Sequence, residues 1–192
     1  MKWLSNRRVA CAVLVIAVLG SVFGFGGTEL SKQRAEVERV FNDGVDTSFG
    51  AHQLSMDAYL DHSADYAGIM VREYRLNSAE DTDSVRQVEQ LASVIGNGAD
   101  YDARYTAYVA FLENVEALNI DFSRLKLDED ATQAFHRAYT DIIEDEADKL
   151  RRDGYHEIAA EYNRTLRGFP ANLIGNVTGV RTMNTFDGEA SR

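Results

Sequence analysis

Few residues in this chain have side chains and spacing suited to chemistry. Four histidines, His52, His62, His136 and His156, are the imidazoles available for metal ligation or proton transfer. His62 stands among Asp57, Asp61 and Asp65, whose spacing of four residues puts three carboxylates on one helix face. Such a ladder gathers cations, but it is also the usual pattern of a solvated face. A hard cation such as calcium draws its oxygens from a turn or from several elements. Glu144, Asp145, Glu146 and Asp148 form a second acidic run, whose like charges point to water. A di-iron bundle needs Glu-x-x-His twice with two further glutamates, and the nearest stretch, Ala58-Tyr59-Leu60-Asp61-His62, lacks it. HExxH, GxGxxG, a P-loop and GxSxG are absent. Cys11, the only cysteine, lies in an apolar segment, so neither an internal disulfide nor a cysteine-based zinc site can form. The sequence assigns no catalytic residue, no metal ligand and no cofactor, and a non-enzymatic protein is expected.

The element that dominates the chain is the uncharged stretch Val9 to Gly27. As a helix rising about 1.5 Å per residue it spans roughly 28 Å, close to the hydrocarbon thickness of a bilayer. A cleaved signal peptide would need only the part from Val9 to Leu19. Apolar character runs on through Val22, Phe23 and Phe25, however, and no Ala-x-Ala site precedes Glu29, which favours a retained signal anchor. Lys2, Arg7 and Arg8 lie before the stretch, so the positive-inside bias predicts a cytoplasmic N-terminus of residues 1–8 and an extracytoplasmic domain.

Residues 1–27 hold three of the chain's 20 basic residues and none of its 31 acidic ones, so the remainder stands at about −14. That charge excludes a nucleic-acid partner, which requires clustered Lys and Arg. The chain of 192 residues has room for one domain plus an anchor.

Beyond the anchor, apolar residues recur at helical spacing. Leu30, Val37, Val40, Phe41, Val45 and Phe49, then Met56 to Tyr74, predict a long helix continuous with the anchor and bent near Gly50. Asn77 to Asp83 breaks it. Asp83 or Ser84 caps a short helix through Ile95, stopped by Asn97 and Gly98. Asp100 caps the next, through Leu118, and Asn119 to Asp128 is a second break. Phe135 to Phe169 keeps one stripe for about ten turns, weakened only at Gly154, until Pro170 forces an end at Gly168 or Phe169. Residues 181–192 are polar and without period, so a flexible tail is expected. The fold class predicted is all-α: an N-terminal transmembrane helix (9–27) and an antiparallel up-and-down bundle of about four helices (28–180).

Within Arg152 to Val180 lie Arg152, Tyr155, Tyr162, Asn163, Phe169, Pro170, Leu173, Ile174 and Gly179. In these residues the chain resembles the LemA family of bacterial membrane-anchored helical proteins. That family carries an arginine, two Tyr-Asn pairs seven residues apart, and a Phe-Pro closing the helix before a short apolar segment. His156 stands where the first pair has Asn, and Val180 where an aromatic is usual. The family's Arg-Arg-x-Asp-Leu-Ile-Pro-Asn-Leu-Val segment has no counterpart near residues 45–70. The resemblance implies one N-terminal membrane segment and a helical bundle without established enzymatic activity. Read by themselves, Tyr155 and Tyr162 share a helix face, presenting rings to a core and hydroxyls to a partner, and Asn163 is placed to bond a neighbouring loop.

The expected function is a membrane-anchored interaction or cell-envelope role, with other membrane or envelope proteins or a second copy as partners. The alternatives are an extracytoplasmic ligand-sensing bundle acting through a membrane partner and, behind it, a metal-dependent enzyme with a dispersed site.

Overall fold

A computed structural model describes residues 7–46, 52–98, 100–127 and 129–186. The fold is all-α, with one N-terminal helix long and apolar enough to cross a membrane. Helix α1 runs unbroken from Arg7 to Asp43, so the apolar stretch and the first amphipathic helix are one element, as the periodicity predicts. It stops at Gly44, whose φ of +79° lies in the left-handed region. A two-residue antiparallel bridge follows, β1 (Val45–Asp46) pairing with β2 (His52–Gln53). The expected continuation of the helix to Tyr74 is therefore interrupted, and the bend placed near Gly50 lies outside the described residues.

Helices α2 (Met56–Asn77), α3 (Asp83–Gly96) and α4 (Tyr101–Ser123) come next. Ser55 caps α2, its hydroxyl accepting from Ala58 N–H at 3.1 Å. Thr82 caps α3, rather than Asp83 or Ser84. Asp100 occupies the N-cap of α4 without a side-chain capping bond, and α4 runs through Asn119 to end at Ser123, later than expected. The long C-terminal stripe is not one helix. It comprises α5 (Glu129–Thr140), a π-helical turn (Asp141–Glu146), α6 (Ala147–Arg152) and α7 (Tyr155–Arg167). The wider π turn changes the inward register, and Glu146 comes to lie buried beside Ala147. α7 ends one residue before the predicted stop. Pro170 forms the N-cap of α8 (Ala171–Thr178), which closes at Gly179, φ +76°.

The chain divides into two compact units. One comprises residues up to Arg39 together with Ile158–Met183. The other comprises Val40–Glu157 with the residues from Asn184 onward. In the second, α3 packs on α2 and α4, and α2 packs on α5 and the π turn, giving the predicted bundle of about four helices joined by short links. Its core includes Phe41, Met56, Leu60, Met70, Ile95, Phe111, Leu118, Phe122, Phe135 and Tyr155. Within residues 181–192, for which a flexible tail is expected, Met183 and Phe186 are buried. Residues 187–192 lie outside the described residues.

Candidate functional site

The acidic ladder on α2 serves a buried cation. Arg104 of α4 is only 2% exposed. Its Nη1 bonds the Asp57 carboxylate, its Nη2 lies 3.9 Å from Asp61, and its guanidinium carbon sits 5.5 Å from the centre of the Phe41 ring. Burial, and then the neighbouring Asp57, push the Asp61 carboxyl above its ordinary value, with Arg104 opposing. Among the described residues Arg104 Nε and Nη2 have no hydrogen-bond partner, so the pair organises the bundle at some cost in unmet donors. Asp65 remains exposed.

His62 faces a different group. Its Nδ1 is 3.8 Å from Oε2 of the buried Glu146, whose Oε1 accepts from Lys149 Nζ at 3.0 Å. His136 is exposed on α5 with its ring edge against Phe122 and Phe135, and His156 Nε2 bonds the Leu150 carbonyl. His52 belongs to β2. Among the described residues no group of three or more His, Cys, Asp or Glu converges as metal ligands would. An open cleft of about 730 Å³ between α2 and α3 carries Asp61, Asp65, Arg72, Arg75 and Glu89 on its walls, with Arg75 bonded to Glu89 at 2.9 Å.

The residues of the family-like motif grip the chain's own extended segment. In the first unit the Tyr162 hydroxyl donates to the Arg181 carbonyl at 2.9 Å. Asn163 donates through Nδ2 to the Met183 carbonyl at 2.7 Å and accepts through Oδ1 from the Met183 N–H at 2.9 Å. In the second unit the Tyr155 hydroxyl donates to the Asn184 carbonyl at 2.8 Å, and the Asn184 amide reaches Asp102 at 2.6 Å. Tyr155 is set by Asp153, which accepts its N–H at 2.8 Å and a Gln53 amide hydrogen at 3.0 Å; burial pushes the Asp153 carboxyl up. Phe186 completes a ring cluster with Phe41, Tyr105 and Tyr108, at centroid separations of 5.8, 5.3 and 5.9 Å. Arg152 takes no part, being exposed and paired with Asp148 one turn back.

The remaining motif residues shape α8. Ile174 is buried and rests on Gly26 of α1, Thr178 rests on Gly27, and Gly175 admits Leu166 of α7. Pro170 and Gly179 bound this helix, the Gly179 N–H donating to the Gly175 carbonyl. Phe169 and Leu173 are exposed.

Met183, Asn184, Phe186 and Arg104 escape a reading by period. The tail's signal is two apolar residues three apart in polar surroundings. For Arg104 it is a charge in the row Tyr108, Phe111, Val115, Leu118 and Phe122. Comparison with protein-family models, curated proteins and solved structures finds no match to this chain.

Proposed function

We propose that the protein is a membrane-anchored helical bundle with a non-enzymatic interaction or envelope role, a divergent LemA-like member. Residues 1–8 face the cytoplasm and the acidic remainder lies outside. The observation that carries this reading is the state of α1: along Val13 to Val22 its large apolar side chains are exposed, in a helix long enough to span a bilayer. Such a surface demands lipid or protein cover. The motif supports an architectural role, because Tyr155, Tyr162 and Asn163 use their polar atoms to hold main chain. The partners are other membrane or envelope proteins or a second copy.

Protease added outside sealed cells whose outer layers are permeabilised tests the reading, together with N-terminal sequencing. Residues beyond α1 should be digested while the membrane is intact, and the undigested protein should retain its sequence before Val9. A protein beginning after Gly27, or one protected until the membrane is dissolved, overturns it.

A ligand-sensing role is the second reading, favoured by the α2–α3 cleft with its mixed charges. Its output would pass through another membrane protein.

A further inference from the structure

Helix α8 is two-faced in an unusual sense, since both faces are apolar. Ile174, 5% exposed, and Thr178 lie against Gly26 and Gly27, while Leu173 (50% exposed), Val177 (65%) and the preceding Phe169 (85%) point away. The contact with α1 is close enough that a side chain on either glycine would make its neighbour on α8 shift. A Cβ on Gly26 would stand 2.6 Å from Ile174 Cδ1, and one on Gly27 would stand 2.8 Å from Thr178 Cγ2. Gly26 and Gly27 end the uncharged stretch of α1, with Glu29 next but one. The exposed row Phe169, Leu173 and Val177 is thereby held at the level where the span finishes, alongside the exposed Phe25.

Charge points the same way. Between Glu161 and Asp187 the chain has no acid, and its ionised side chains there are Arg164, Arg167 and Arg181, which bracket the neutral run Gly168 to Val180. In a region carrying about −14 overall, this is the one long stretch suited to phosphate headgroups. A second copy is a poorer occupant, because a stable dimer buries about 800 Å² on each partner and three side chains cannot supply it.

We propose that α8 docks on the bilayer surface, with Phe169, Leu173 and Val177 entering the boundary between headgroups and acyl chains and the three arginines meeting lipid phosphate. The proposal rests on the reading of α1 as a membrane span, whichever side the domain occupies. An apolar helix face beside a span end, flanked by cations, is the physical pattern of interfacial seating.

The test uses the full chain with Cys11→Ser, reconstituted in phosphatidylcholine–phosphatidylglycerol vesicles. A nitroxide is placed singly at Val18→Cys, Leu173→Cys or Val177→Cys, and its collisions with oxygen and with a water-soluble nickel chelate are compared. All three labels should favour oxygen severalfold, Val18 most strongly. Oxygen preference at Val18 with nickel preference at both Leu173 and Val177 overturns the docking of α8 and leaves the span standing. Nickel preference at Val18 overturns the span, and the proposal with it. Spin–spin broadening at Leu173 without oxygen preference shows a second copy on the face and also overturns it.

Discussion

Asn163 commits both ends of its amide to Met183, matching the donor and acceptor of one peptide unit. Replacing it by alanine strands the N–H and the carbonyl of a buried residue, at a cost of about 1–3 kcal/mol. Asn163→Asp keeps the acceptor but faces a carboxylate toward the Met183 carbonyl, and should cost more. Urea unfolding of the two variants beside the parent measures both. The sequence placed Asn163 near a loop and the two tyrosine hydroxyls near partners, because helix spacing fixes which side chains share a face. It could not show that the loop was the chain's own later segment. Contacts to main-chain carbonyls and amides are indifferent to the sequence that supplies them, so residues 181–184 carry no mark of being held. Glu146 was misjudged for a related reason: its acidic neighbours suggested water, and only the π turn brings it inside.

At the scale of elements, apolar period marked the helical stretches of α1 to α7 but not α8, and ends were set by local chemistry that period does not see. Gly44 is the sharpest case. A Cβ there would stand 2.2 Å from the Gln53 carbonyl oxygen, a backbone atom that cannot swing aside, and φ of +79° is itself unfavourable for alanine. Gly44→Ala should destabilise by about 3 kcal/mol or more, the left-handed backbone alone costing about 1–2. Gly68 makes the contrast, lying inside α2 with nothing near its absent Cβ. Gly68→Ala should stabilise by about 0.5–1 kcal/mol through helix propensity. Thermal melts of the pair should therefore move in opposite directions. The break at Asp153–Gly154 was half-legible, since the glycine weakens the stripe, while the π turn leaves no residue signature.

Across the whole molecule, the all-α class and the N-terminal apolar helix were legible because both depend on composition over long windows. The closing role of residues 181–186 was not, because a short extended segment has no window. Phe186 shows what that segment contributes: its ring meets Phe41, Tyr105 and Tyr108 and is 6% exposed. Phe186→Ala should cost about 3 kcal/mol and open a site for apolar dyes, read by denaturation and by dye fluorescence. The continuity of α1 has a mechanical consequence as well. From Thr28 to Asp43 the helix has no described break, and these 16 residues rise roughly 24 Å. Anchored as proposed, α1 is a stiff pointer set in the bilayer. Spans meet a change in lipid thickness by leaning, about 20° being ordinary, and a lean of that size carries the Asp43 end sideways by roughly 8 Å. Among the described residues α1 has no break at the surface to absorb the lean, so the thickness of the surrounding lipid becomes a coordinate that the outer end of this helix must follow.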